Sequence, residues 1–154
     1  MVGGDWRTCP PLTVEEVERW YQSVCADPLC WIIAVEGRCV GTTRLHGLDE
    51  ENRRARYAIG LFSPEHRGQG IGTTVTRLVL TYAFEALHLH RVDLRVLEFN
   101  HRAIACYERC GFVREGVERD GGWIAGEWQS DVIMSILEHE YQRIAEEWPQ
   151  TAIT

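Results

Sequence analysis

Apolar and polar positions change period several times along this 154-residue chain, and each change marks an element. From Thr13 to Cys25, apolar residues recur at Val14, Val17, Tyr21 and Val24 as one helical stripe. Thr13-x-x-Glu16, just after Pro11, is a capping-box start for that helix. Trp31–Val35 and Val40–Leu45 read as a hairpin around Glu36-Gly37. Tyr57–Phe62 is a further apolar strand, followed by the turn residues Ser63-Pro64-Glu65-His66. Helical spacing returns at Ile71, Val75, Leu78, Val79, Tyr82, Ala83 and Ala86, predicting one long helix to about Leu87. Arg91–Leu97 alternates, with Val92, Leu94 and Val96 sharing a face. Asn100 is an N-cap, Ala103–Cys110 a short helix and Gly111 its left-handed stop. Two last strands, about 112–118 and 127–137, are joined around Asp120-Gly121-Gly122, and Tyr141–Trp148 continues as a helix. Arg7-Thr8-Cys9 reads as the tail of a first strand. Strands mixed with helices in this order predict an α+β (mixed α/β) fold, helices on both faces of a central sheet.

The segment between the strand at 57–62 and the long helix carries the chemistry: Arg67-Gly68-Gln69-Gly70-Ile71-Gly72. Strand, glycine-rich turn, helix presents free backbone N–H groups and the positive end of a helix dipole to an anion. The segment reads as a pyrophosphate cradle, the alternative being a plain glycine-rich turn into a helix. A P-loop would need Lys then Ser or Thr after the last glycine, where Thr73-Thr74 stands. A dinucleotide fingerprint would need G-x-G-x-x-G, which Gly68, Gly70 and Gly72 do not match, although Asp93 falls near the expected acidic position. Arg67-x-x-Gly70-x-Gly72 fits the R/Q-x-x-G-x-G/A signature of the GNAT superfamily of N-acetyltransferases, and Asn100-x-x-Ala103-Ile104-x-x-Tyr107-Glu108-x-x-Gly111-Phe112 resembles its second motif. Further matches at 82–84, 89–92, 115–116, 126–128 and 134–137 resemble the branch holding ribosomal-protein N-terminal acetyltransferases, with spermidine and antibiotic acetyltransferases. The likeness is close over residues 31–138 and looser before them, with 1–154 read as a single N-acetyltransferase domain.

That resemblance implies a twisted mixed sheet in which the strands at 57–62 and 91–97 are parallel neighbours that splay apart to admit the pantetheine arm of acetyl-CoA. It implies arm contacts at the backbone of Leu61 and Phe62, and pyrophosphate contacts from Arg67, Gly68, Gln69, Gly70, Ile71, Gly72 and Thr73. Asn100 would hydrogen-bond the arm, and Tyr107 would protonate the departing CoA thiolate. A backbone N–H at Leu61 or Phe62 would serve the oxyanion. The strand at 57–62 lacks the glutamate that many relatives use as general base; Glu98, His46 or an ordered water are the substitutes.

Composition narrows the partners. A formal net charge of −7 disfavours nucleic acid, whose phosphates need clustered Lys and Arg, and suits a cationic amine acceptor. Arg53-Arg54-x-Arg56 is a local exception, read as a solvated loop or as a contact for an acidic acceptor. Six cysteines show neither C-x-x-C nor zinc-finger spacing, so reduced, mostly buried thiols and no metal are expected; Cys106 bears on the chemistry only if it faces the thioester. No run of eighteen apolar residues and no signal segment occurs, which leads to a cytoplasmic expectation with no membrane partner. Trp123, Trp128 and Tyr57 are candidates for the acceptor side, with core packing or a dimer contact weighing at least as much for each, and the two tryptophans with the final strands are candidates for a homodimer surface. Two rival readings use the same fold: another acyl donor (a longer acyl-CoA or an aminoacyl-tRNA), or a non-catalytic acyl-CoA-binding module.

Overall fold

The computed structural model describes residues 13–62, 64–66 and 68–149. The expected strand tail Arg7-Thr8-Cys9 therefore lies outside the described residues. In chain order the elements are α1 (Val14–Ala26), β1 (Cys30–Val35), β2 (Arg38–Asp49), β3 (Arg54–Leu61), a 3₁₀ turn (Pro64–His66), α2 (Ile71–Thr81), β4 (Arg91–Leu97), α3 (His101–Arg109), β5 (Val113–Ile124), β6 (Glu127–Leu137) and α4 (Glu138–Ala145). The strands form one six-stranded sheet in the order β1-β2-β3-β4-β6-β5. All neighbours are antiparallel except β3 and β4, which run parallel.

One face of the sheet is the core. Leu45, Ala55, Tyr57, Val92, Leu94, Val96, Val132, Met134 and Ile136 all point there and meet Val79, Leu80, Ala83 and Phe84 of the long helix, Ile104 and Cys110 near α3, and Tyr141 of α4. The alternation expected at Val92, Leu94 and Val96 is what builds this face. The long helix departs from its expected stripe. After Thr81 it widens into a π turn over Tyr82–Ala86. The buried side runs through Thr76, Val79, Leu80, Ala83 and Phe84, so Thr76 and Leu80 are fully buried whereas Leu78 and Tyr82 are 37% and 41% exposed.

Two other expectations are corrected. The glycines at 121–122 do not turn the last hairpin. They sit within β5, where the register shifts between Glu118 and Gly122, and the reversal is made by Ala125-Gly126, both at positive φ (51° and 81°). A two-residue loop of that conformation matches the twist of the flanking strands better than a glycine-rich one placed earlier. Arg54 and Arg56 are strand residues rather than loop: Arg56 Nε donates to Asp93 at 2.7 Å across the β3–β4 pair, so that charge is spent inside the sheet. Gly111 does adopt the left-handed conformation (φ 99°), and a Cβ there would meet Ile136 and Ile144 at 3.0–3.2 Å.

Helix α1 is the loosest element. Of its stripe only Val24 is buried, while Val14, Val17 and Tyr21 are 82%, 44% and 52% exposed. It touches β1 and, through an edge-on Trp20–Phe62 contact at 6.1 Å, the end of β3.

Candidate active site

The parallel pair β3–β4 is registered at only three rungs, Arg54↔Arg91, Ala55↔Val92 and Arg56↔Asp93. Beyond them both strands continue, but each stays with its other neighbour: β3 with β2 as far as Gly41↔Leu61, β4 with β6 as far as Leu97↔Asp131. A gap therefore opens between β3 and β4 from Tyr57 onward. Hydrogen-bond alternation fixes which backbone groups line it. Phe62 N–H donates to the Val40 carbonyl at 2.8 Å, so Phe62, Gly60 and Ala58 bond toward β2, while Leu61, Ile59 and Tyr57 turn theirs toward the gap. Of the two residues expected to serve the arm with backbone groups, Leu61 has the suitable direction; the amide of Phe62 is already used.

At the open end of the gap α2 begins. Gly70 is its N-cap in the left-handed conformation (φ 78°), preceded by Gly68 at φ 79°, and neither would have an atom within 4 Å of an added Cβ. Those φ values, not crowding, call for glycine. No side chain caps this helix, and its first turn holds no carboxylate. Thr74 N–H is the first to bond back, to Gly70 C=O at 3.0 Å, leaving the amides of Ile71, Gly72 and Thr73 at the helix end. Gln69 Nε2 donates to the Glu65 carbonyl at 3.1 Å, which steadies the approach to the turn. Arg67 lies outside the described residues.

Helix α3 follows β4 directly. Asn100 caps it by accepting Ala103 N–H at 3.2 Å, so its side-chain oxygen is occupied and its amide NH₂ is what it can offer an arm in the gap. Tyr107 is half-buried, edge-on to Tyr57 (6.3 Å between ring centres) and to Phe112 (5.8 Å). Burial, with smaller contributions from Tyr57 and the neighbouring thiols, pushes its phenol above the ordinary tyrosine range, so it is protonated at neutral pH. Tyr57, a candidate for the acceptor side, the core or a dimer contact, is 3% exposed on the core face beneath Tyr107. Trp123 and Trp128 pair edge-on at 4.9 Å at the tip of the β5–β6 hairpin, 60% and 59% exposed.

The base candidates fare differently. His46 lies opposite Arg56 on β2, level with the last β3–β4 rung, and points to the face opposite the one that holds Tyr57 and Tyr107. Burial first, then Arg44 and Arg56, push its imidazole below the ordinary range, so it is neutral at pH 7. Glu98 follows β4 as an exposed residue whose N–H bonds Ser130 C=O at 3.0 Å.

The thiols are less buried than expected. Among the described residues only Cys110 is buried; Cys25 and Cys39 are exposed and Cys30 and Cys106 intermediate, all free. Cys106 does not point along the gap; it packs against the cradle, its Sγ 3.3 Å from Thr73 Oγ1 and 3.7 Å from where a Cβ on Gly72 would lie. A hydrogen bond from Cys110, then one from Thr73 and the nearby Arg109 and Arg77 guanidiniums, bring the Cys106 thiol down to about 6 against the cost of its burial. Cys110 is pushed up by its pairing with Cys106 and by burial, and its Sγ lies 3.8 Å from the Thr73 carbonyl, to which it donates. Among the described residues no group of three or more His, Cys, Asp or Glu could hold a metal ion, and no helix is long and apolar enough to cross a membrane.

A splayed parallel pair, a glycine start to the following helix, and a tyrosine on the helix after the second strand define a class of acyl-group transfer fold. The chain belongs to the acetyltransferase (GNAT) family, whose pattern it matches over residues 3–112. It is similar to YdaF of Bacillus subtilis, a protein provisionally named a ribosomal N-acetyltransferase, with 37% identity over 70% of this chain and 58% of that one. It is also similar to the spermidine N(1)-acetyltransferase of Escherichia coli K12, with 31% identity over 72% of this chain and 59% of that enzyme. In both cases the matched stretch is under two thirds of the relative's length. The solved structure of spermidine N-acetyltransferase from Vibrio cholerae in complex with CoA and spermine superposes with a TM-score of 0.76 at 30% identity, over 89% of this chain and 82% of that one.

Proposed function

We propose that this chain is an acetyl-CoA-dependent N-acetyltransferase, folded as one domain over 1–154, that moves an acetyl group to the primary amine of a peptide N-terminus or a small molecule. The observation that carries this is the β3–β4 gap opening onto the uncapped, glycine-led start of α2, which offers an extended arm and a pyrophosphate adjoining sites. In this reading Leu61 and its gap-facing neighbours pair with the amides of the arm, and Gly68–Thr73 with Arg67 hold the pyrophosphate. Leu61 N–H also takes the developing oxyanion. Asn100 steadies the arm through its NH₂. The acceptor approaches from the sheet face opposite α2, where β3 presents the small residues Ala58 and Gly60 and where nothing lies within 4 Å of a Cβ added at Gly60.

The transfer balances as follows. The amine lone pair forms the new C–N bond, the C–S bond breaks, Tyr107 Oη gives its proton to the departing sulfur, and the proton the amine loses to water returns through water to the Tyr107 phenolate. This tyrosine is a weaker acid than a free thiol near 8.5, so its phenol stabilises the charge building on sulfur as a hydrogen-bond donor, and full transfer is completed only as the phenolate is reprotonated, a contribution of roughly 10²-fold or more. With no carboxylate on β3, a neutral amine must be available beforehand. An α-amine near 7.8 is about a third neutral at pH 7.5, a lysine amine near 10.4 only about a tenth of a per cent, a handicap of about 3 kcal/mol. The net charge of −7 favours such cationic acceptors electrostatically. The exposed Trp123–Trp128 tip is the surface we assign to a homodimer, and a cytoplasmic enzyme is the matching location.

Thiol release from acetyl-CoA tests this reading. Peptide α-amines are expected to turn over at least tenfold faster than lysine side-chain amines at pH 7, and Tyr107→Phe to lower kcat about a hundredfold with KM for acetyl-CoA within threefold. Faster turnover of lysine at pH 7 would sink the amine preference. Binding of acetyl-CoA without release by any amine would leave a non-catalytic acyl-CoA-binding module, and release only from longer acyl-CoA would reassign the donor.

A further inference from the structure

Two buried hydroxyls connect the wall of the gap to the cradle. Tyr57 on β3 is 3% exposed and Thr76 on α2 is fully buried. Thr76 Oγ1 donates to the Gly72 carbonyl at 2.6 Å. That uses its only proton, so in the 2.9 Å contact between Tyr57 Oη and Thr76 Oγ1 the tyrosine is the donor. Burial pushes the Tyr57 phenol up, which keeps that proton in place across neutral and mildly alkaline pH. The chain thus runs in one direction, from Tyr57 through Thr76 to Gly72.

Its ends are informative. Tyr57 is the first residue of β3 beyond the last β3–β4 rung, where the strand leaves its parallel partner. Gly72 is the second residue of α2, inside the turn whose amides have no cap. The Tyr57 ring is also held from two sides, edge-on by Tyr107 at 6.3 Å and stacked with Phe112 at 6.5 Å. Phenylalanine at 57 and valine at 76 would fill the same space without two polar groups to desolvate, and an apolar pair of equal shape is nearly neutral for stability. The hydroxyls therefore suit a geometric task better than a stabilising one.

We infer that Tyr57 and Thr76 are positioning residues that fix the spacing between the strand wall and the cradle, so that one CoA molecule engages both at once. This rests on the acetyl-CoA reading above. Joining two weak contacts in one ligand multiplies affinity only when the protein holds both sites at the ligand's own spacing. Loss of the chain should therefore weaken CoA more than either of its halves.

The experiment is calorimetric and competitive titration of the whole chain with CoA, S-acetylpantetheine (the arm without pyrophosphate) and 3′-phospho-ADP (the pyrophosphate end without the arm). Tyr57→Phe and Thr76→Val are expected to weaken CoA about five- to tenfold and each fragment less than twofold. KM for acetyl-CoA should rise by the same factor with kcat within about twofold. Thr76→Ser, which keeps the hydroxyl, should restore CoA affinity, and the double variant should be no weaker than either single one. Equal weakening of CoA and both fragments, or unchanged CoA affinity in both variants, overturns the inference and leaves the acetyl-CoA reading standing. If Tyr57→Phe does not fold, the Thr76→Val and Thr76→Ser pair decides alone. Failure of the unsubstituted chain to bind CoA removes both readings together.

Discussion

Helices α1 and α2 start in opposite ways. Thr13 Oγ1 accepts Glu16 N–H at 3.2 Å while the Glu16 carboxylate accepts Thr13 N–H at 2.7 Å, and Glu15 and Glu16 place negative charge in the first turn of α1. That end satisfies its own amides and its own dipole. Helix α2 has a bare glycine at the same position, no side-chain cap and no acid in the first turn. Helix α3 is capped by Asn100, and α4, though no side chain caps it, has Glu138 and Glu140 in its first turn, so among the described α-helices α2 alone has neither a side-chain cap nor an acid at its start. The comparison separates two uses of one structural feature: a closed end belongs to the fold, and an open end beside a gap in the sheet belongs to a ligand.

The largest expected effect comes from closing the open end. Gly70→Asp supplies a carboxylate at the N-cap of α2, where it can accept the free amides and repel a pyrophosphate at the same time. Aspartate tolerates the left-handed conformation better than most residues, and the added Cβ meets no atom within 4 Å, so the fold should survive. Titration with CoA should show an affinity loss on the order of a hundredfold or more, with the circular-dichroism spectrum unchanged. Retained affinity would mean that the pyrophosphate is held elsewhere.

A smaller effect probes the inner side of the same helix end, where Cys106 packs against Gly72 and Thr73. Its thiol is lowered to about 6 in the folded chain, chiefly by the hydrogen bond from Cys110. Iodoacetamide reacts with thiolates, so alkylation of Cys106, followed by mass spectrometry of its peptide, should rise with pH around a midpoint near 6. The linkage has a defined sign. A depressed thiol contributes stability that is full above the unfolded-state value of about 8.5 and is lost as pH falls through the folded value. Cys110→Ala should move the alkylation midpoint upward by at least about one pH unit, and saturating CoA should slow the reaction. A midpoint of about 8 to 9 in the unsubstituted chain would refute this description of the pair.

The contrast between helix ends also explains what could be read from the sequence. The cradle and the Asn100–Phe112 unit were legible because their signals are local: glycines where φ turns positive, a cap three residues before the amide it serves, a left-handed glycine after the helix. The family resemblance drew the same stretches together and supplied the splay of β3 from β4, which no periodicity reports. Non-local features were misread or left open. Tyr57 stays undecided in the sequence between the acceptor side, the core and a dimer contact because its partners Thr76 and Tyr107 lie 19 and 50 residues away along the chain. Arg56 looked like a loop charge because Asp93 is on another strand. The glycines at 121–122 carried a turn signal that pairing with β6 absorbed as an irregularity in β5. One signal for the missed Thr76 existed: a threonine facing the core stripe of a helix needs a partner for its hydroxyl, and a buried tyrosine is a natural one.

The smallest effect is expected at the closed end. Thr13→Ala removes the oxygen that accepts Glu16 N–H, while the Glu16 carboxylate keeps the backbone N–H of residue 13, the bond that chiefly holds it below the ordinary glutamate range. Loss of an N-cap is usually worth about 1 kcal/mol to its helix. Because only Val24 ties α1 into the core, little of that loss should reach the sheet, and the global melting temperature should fall by only about 1–3 °C. Affinity for CoA should stay within about twofold. A depressed carboxylate contributes stability above its unfolded value near 4.3 and loses it as pH falls through the folded one; because the backbone bond to Glu16 survives the substitution, both chains should lose most of that contribution together, and the difference between them should change only slightly toward pH 3. Thermal melts at pH 7 and pH 3, with CoA titration at pH 7, check all three statements. A large loss of CoA affinity would show that α1 reaches the gap through the Trp20–Phe62 contact, and would erase the distinction between a structural helix end and a binding one.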